Sequence, residues 1–132
     1  TVKAMNVAPE RLLIWLGPAI GPAAFEVGEE VRQAFMAHDP EAAKAFVSCV
    51  GRASARHVGL KPDLQGCSAG AADPGAQKWL ADIYFLARQR LALLGVERVY
   101  GGGLCTYTDA EHFYSYRRDQ ATGRMASLIW LA

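Results

Sequence analysis

The stretch Asp73–Gly102, "DPGAQKWLADIYFLARQRLALLGVERVYGG", decides the fold class. Trp79, Ile83, Leu86, Arg90 and Leu94 recur at helical spacing, with Leu80, Ala87 and Leu91 beside them. Asp73 is a capping residue and Pro74 suits a first turn, so the reading is one long helix over Asp73–Gly95. Gly95 stands where a helix usually stops. Val96–Tyr100 then alternates as a strand. Helix, glycine, strand is the local order of α/β packing.

Working outward, "RLLIWLG" (Arg11–Gly17) reads as a buried strand ended by Gly-Pro. Two Gly-Pro pairs, Gly17-Pro18 and Gly21-Pro22, then dictate a rigid, non-helical loop that either holds something in place or is a stiff connector. "GEEVRQAFMAHD" (Gly28–Asp39) reads as a short amphipathic helix with Val31, Ala34 and Phe35 on one face and Glu29 and Glu30 near its positive end. "PEAAKAFVSCV" (Pro40–Val50) reads as a second short helix. Residues 51–75, rich in Gly, Ala and Ser, read as a mobile loop or insertion carrying His57 and Cys67.

The 132 residues suffice for one domain, and 52% hydrophobic with 20% charged residues is a foldable globular composition. A net charge of +1 gives no strong field for nucleic acid or an anionic membrane, and no apolar run reaches membrane-spanning length. The opening "TVKAMNVAPERLLIWLG" lacks the pattern of a signal peptide, and three cysteines, Cys49, Cys67 and Cys105, form no CxxC pair. The expectation is free thiols in a cytoplasmic protein. His38, His57 and His112 show no zinc-motif spacing, so no metal ligand is assigned within this chain.

Chemistry concentrates in "CTYTDAEHFYSYRRDQATGR", Cys105–Arg124. Strands are expected at "LCTYT" and "FYSY", a hairpin tip at "RRDQATGR", and a terminal strand at Met125–Ala132. Arg117 and Arg118 suit bidentate binding of phosphate or carboxylate, with Asp119 able to hold one of them. Strand alternation would send the two arginines to opposite faces, leaving one as a structural ion pair. Tyr107, Tyr114 and Tyr116 offer hydroxyls or stacking faces, or else fill a core. Cys105 is a nucleophile if neighbouring positive charge lowers its pKa, and otherwise a small core residue. Residue chemistry alone reaches an α/β domain suited to a small anionic or phosphorylated ligand.

The blocks "WLGPAIGPAAFEVGEEVRQAF" and "LADIYFLARQRLALLGVERVYGGGLCTYTDAEHFYSYRRDQATGRMASLIWL" resemble the YfiH/YlmD-type laccase-domain family, once labelled multicopper polyphenol oxidase. The resemblance covers nearly the whole chain apart from residues 51–72. It implies an α/β (α+β) fold with mixed sheets layered between helices, a four-layer αββα sandwich. It also implies purine nucleoside phosphorylase activity on adenosine, inosine and methylthioadenosine, with adenosine deaminase as a side activity. The family's "QVH", "DC.P" and "HAGWRG" motifs, which carry its zinc ligands, do not occur here. The chain is therefore expected to be the C-terminal half of one domain, partnered by an N-terminal half that brings the zinc, with copper the less favoured metal. The positions matching the family's second half include Gly17–Gly21, Phe25, Glu26, Asp82, Cys105, Thr106, Ser115, Tyr116, Arg117, Arg118, Asp119 and Arg124. From these, Gly21, Phe25, Cys105, Ser115, Tyr116, Arg117 and Arg118 are the candidates to bind substrate or shape its pocket. Some members carry cysteine after "GPAIGP"; here Ala23 and Ala24 stand there. Two other readings remain: a phenol-oxidising, laccase-like enzyme, and an inactive fragment that needs its N-terminal half.

Overall fold

The structure, a computed structural model, describes residues 2–49 and 77–128. The loop expected at 51–75, with His57 and Cys67, lies outside the described residues, as do residues 129–132 of the expected terminal strand. The chain is a mixed α/β protein with one parallel and one antiparallel sheet. It divides into two compact units.

Pro22–Arg90 forms one unit. Its sheet is antiparallel, with β2 (Glu26–Gly28) and β3 (Phe46–Ser48) flanking β4 (Lys78–Ala81). Val27 lies opposite Trp79, and Val47 opposite Leu80. The long helix expected from Asp73 is thus replaced at Lys78–Ala81 by a central strand. Leu80 and Ala81 are almost fully buried there. A short apolar run fits either period, and pairing on both edges decided for the strand. The helix that follows, α2 (Ile83–Ala92), starts at Asp82, whose carboxylate accepts the Phe85 N–H at 2.9 Å.

The α1 helix (Glu29–Met36) keeps Glu29 and Glu30 in its first turn. Val31 and Phe35 pack on the core, whereas Ala34 is exposed. The second expected helix is shorter and tighter. Pro40–Ala45 is a 3-10 helix opened by Asp39, whose side chain accepts the Glu41 N–H. From Phe46 the chain becomes β3 rather than continuing as a helix, and Val50, the last residue of that expected helix, lies outside the described residues. Val27, Ala42, Ala45, Phe46, Ala81 and Leu86 form the core, with Phe35 and Phe46 rings 6.0 Å apart.

The other unit comprises Thr1–Gly21 and Leu91–Ala132. Gly95, at φ +78°, ends α2, and the Val96 N–H returns to the Leu91 carbonyl at 3.0 Å. β1 (Ile14–Leu16) then pairs in parallel with β5 (Val99–Gly101). Beyond this sheet, Ala19 bridges Cys105. Three steps from Leu16 to Ala19 are matched by four from Gly101 to Cys105. The extra residue is absorbed where Gly101 and Gly102 adopt φ of +77° and +80°.

Candidate functional site

Residues 105–119 fold back on themselves rather than forming the expected strand pair. Apart from the bridge at Cys105, "LCTYT" makes no strand, and "FYSY" makes none. The Asp109 N–H bonds the Cys105 carbonyl, and the Phe113 N–H bonds the Asp109 carbonyl. Ser115, 7% exposed, is extended and precedes one helical turn, α3 (Tyr116–Asp119). Its carbonyl accepts the N–H groups of Arg118 and Asp119. Gln120 closes the turn at φ +61°. The "RRDQATGR" hairpin tip is thus replaced at its start by a helical turn, and among the described residues 125–128 form no strand. A run of three aromatics and a serine has the composition of a strand, but internal hydrogen bonds fix the tight turns here.

The helical turn separates the two arginines. Arg118 reaches inward, and all five of its N–H donors are engaged. Nη1 donates to the carbonyls of Thr106 (3.0 Å) and Tyr107 (2.9 Å). Nη2 donates to the Phe113 carbonyl and to Asp119 Oδ2, and Nε to Asp119 Oδ1. The hydrogen bond from Arg118 holds the Asp119 carboxyl below its ordinary range. Arg117 is exposed, as are Tyr114 and Tyr116, the last at 70%. Arg118 is therefore occupied internally, whereas Arg117, Tyr114 and Tyr116 are exposed residues.

Gly21 and Cys105, two candidates 84 residues apart, are brought together. The Gly21 N–H donates to Cys105 Sγ at 3.1 Å, and the Thr106 N–H donates to the Ala19 carbonyl at 2.9 Å. The second Gly-Pro pair thus begins at a glycine pinned to the 105–108 turn. Partial burial pushes the Cys105 thiol up. Hydrogen bonds from the Thr108 side chain and from the backbone N–H groups of Thr108, Gly21 and Tyr107 outweigh that burial and hold the thiol below its ordinary value. No neighbouring cation is needed for this shift. Phe25 falls in the other unit, where it packs against the hydrophobic core and its carbonyl accepts the Ala81 N–H. Its local role is packing.

Sequence reasoning missed the carbonyls of Thr106, Tyr107 and Phe113, the Thr108 hydroxyl and the Asp109–His112 pair. Only the last had a legible signal, an acid three residues before a histidine in a turn. His112 Nδ1 lies 2.9 Å from Asp109 Oδ1, and this bond lowers the Asp109 carboxyl. Among the described residues no three His, Cys, Asp or Glu side chains stand together as a metal cage. These residues do not by themselves fit a zinc or copper centre.

The family model of the multi-copper polyphenol oxidoreductase laccases matches residues 1–132. The chain belongs to this family. Within it, Escherichia coli purine nucleoside phosphorylase YfiH is 52% identical over 131 residues, which are 99% of this chain and 43% of that protein. Pseudomonas aeruginosa purine nucleoside phosphorylase PA4543 is 49% identical, covering 99% of this chain and 44% of its own length. A crystal structure of Neisseria meningitidis protein NMB0706 superposes with a TM-score of 0.68 at 42% identity, covering 92% of this chain and 40% of that one. This laccase-family chain therefore spans less than half the length of the relatives it matches, as the expectation of half a domain requires.

Proposed function

We propose that this chain is the C-terminal half of a purine nucleoside phosphorylase and supplies its phosphate-facing side. The observation that carries the reading is 52% identity, across 99% of this chain, to a protein of that name. The geometry supports it through Arg117, exposed on α3 beside exposed Tyr114 and Tyr116. In the reaction, a phosphate oxygen forms a bond to the anomeric carbon of the ribose. The glycosidic C–N bond breaks, and its electron pair leaves with the purine, which takes up a proton. The products are ribose 1-phosphate and the free base. Arg117 neutralises the phosphate as it attacks, and Tyr116 or Tyr114 offers a face for the base. Arg118 and Ser115 hold the turn that presents them.

The substrates are adenosine, inosine and methylthioadenosine, with adenosine deaminase as a side activity. Zinc, held by side chains of the N-terminal half, would supply an activated water for the deamination. We assign a cytoplasmic setting, where a thiol such as that of Cys105 stays reduced. No helix among the described residues is long and apolar enough to cross a membrane.

The test is phosphate-dependent release of adenine from adenosine by the full-length protein, wild type and Arg117→Ala. The expected result is phosphate-dependent turnover in the wild type, with a phosphate KM raised or a kcat lowered by about tenfold or more in the variant. Absence of phosphate-dependent turnover in the wild type overturns the phosphorylase reading. Wild-type kinetics in the variant overturn the role of Arg117. The family's description favours a second reading, oxidation of phenols. Oxygen uptake with a phenolic substrate, together with bound copper, would support it.

A further inference from the structure

The two compact units differ in how much apolar surface they cover. The unit Pro22–Arg90 holds every member of the buried cluster around Phe46. In the unit of Thr1–Gly21 and Leu91–Ala132, the buried hydrophobic side chains among the described residues are Leu12 and Val96. Of the large hydrophobic residues left exposed, all but Val47, Ile83 and Phe85 belong to that same unit. The exposure is ordered at its parallel sheet. Leu13 and Trp15 are exposed, Leu12 is buried, and Ile14 and Leu16 are partly covered. Trp15 is in register with Tyr100, so both side chains stand on one face of the sheet, at 56% and 53% exposure. The backbone of β1 has a second, outer edge. The Ile14 N–H donates to the Arg98 carbonyl at 2.9 Å, and the Leu16 carbonyl accepts the Gly102 N–H at 3.1 Å, so these two residues turn their polar groups toward β5. Successive residues of a strand address opposite edges, so the Trp15 N–H and carbonyl point away from β5, where β1 has no further strand among the described residues.

We propose that the outer edge of β1 is a strand-addition site for an extended apolar segment of the N-terminal half, which pairs with the Trp15 N–H and carbonyl while that half covers Leu13, Trp15 and Tyr100. The inference rests on the reading of this chain as a C-terminal half, and adds the surface and the mode of docking. Residues 13–16, "LIWL", carry neither the charges nor the proline that guard an edge strand left in water. Two strands are too few for a sheet to stand alone, and parallel sheets are covered on both faces. The matched region is 43% of the Escherichia coli relative, so the larger part of such a protein lies outside this chain and is long enough to supply strands and a covering layer. A second copy of this chain is a poorer occupant, because its own sheet unit brings the same shortage of core residues. A half in the same polypeptide also docks at high effective concentration. Main-chain hydrogen bonds at Trp15 then fix the register, and the Trp15 and Tyr100 rings supply the apolar contact.

The experiment is hydrogen exchange of the full-length protein, read amide by amide by mass spectrometry, with Tyr100→p-benzoylphenylalanine as a photo-crosslinking probe of the same face. The Trp15 amide is expected to exchange about a hundredfold or more slowly than an unpaired amide. Irradiation is expected to link position 100 to a residue that precedes Thr1 in the same polypeptide. Exchange of Trp15 at the rate of an unpaired amide overturns the strand addition. A link to a second copy, or to another of these 132 residues, overturns the choice of occupant. Where the variant does not fold or does not link, wild-type exchange under conditions where light scattering reports a monomer decides. Protection in the monomer supports the proposal, and protection in a dimer alone overturns it. Intact mass and the phosphorolysis assay keep the underlying reading separate. A native polypeptide of only 132 residues overturns the half-domain reading and this proposal with it. A longer polypeptide with a protected Trp15 and no phosphate-dependent turnover overturns the activity alone, and fast exchange in an active one overturns this proposal alone.

Discussion

Gly21 and Cys105 meet so closely that a methyl group on Gly21 would lie 3.1 Å from both Cβ and Sγ of Cys105. The same approach lets the Gly21 N–H reach the sulfur. Gly21→Ala is expected to lower stability by about 1–2 kcal/mol. In a Cys105→Ala background, where the sulfur is gone, the added cost should be smaller. A double-mutant cycle by urea unfolding measures the difference, and strict additivity would show that the contact is not made in solution.

Gly101→Ala is a more severe change. Gly101 has φ +77°, and an added methyl would overlap the backbone carbonyl oxygen of Leu16 and crowd the Trp15 indole. The backbone of β1 cannot rotate aside as a side chain can. A loss of about 3 kcal/mol is expected, larger than at Gly21. Equal midpoints for the two variants in a urea titration would contradict this ranking.

The Asp119–Arg118 pair predicts a pH dependence with a definite sign. The folded-state pKa of Asp119 lies below its ordinary 3.8, first because of the Arg118 hydrogen bond. Its contribution is therefore present above about pH 4 and is lost as pH falls through the lowered value. Asp109, lowered first by its bond from His112, adds a contribution of the same sign. Both groups are exposed, so the effect is modest and weakened by salt. Between pH 6 and 2.5, Tm should fall less steeply in Asp119→Asn than in the wild type. An unchanged slope at low ionic strength would show that the pair does not contribute.

Phe46 stands where the 3-10 helix turns into β3, buried against Val27, Ala42, Ala45, Ala81 and Leu86 and tilted against Phe35. Phe46→Ala is expected to cost about 3–5 kcal/mol. Val47→Ala, its exposed neighbour, should cost under about 1 kcal/mol. Chemical denaturation of the two variants checks the alternation that makes this segment a strand and not the helix its composition suggests.

Some features were legible because they rest on local chemistry. Gly95 ends α2 with a positive φ, as a glycine after a helical run should. Glu29 and Glu30 open α1, and Gly17-Pro18 follows a strand. The blocks around "GPAIGP" and "SYRRD" carried the family. The loop expected at 51–75 lies outside the described residues.

The sequence by itself determined the α/β class, the stop after α2 at Gly95, and the clustering of thiol, tyrosines and arginines in one stretch. Each depends on side chains acting on their own backbone or on near neighbours. Only the tertiary structure decided that Lys78–Ala81 is a strand, because its partners lie in Glu26–Gly28 and Phe46–Ser48, far away along the chain. It also decided which arginine faces inward. Neighbours with identical chemistry differ because a single helical turn aims Arg118 at carbonyls 5, 11 and 12 residues away and leaves Arg117 exposed. Periodicity reads only local spacing, whereas these choices rest on hydrogen bonds that close after the chain has folded back on itself.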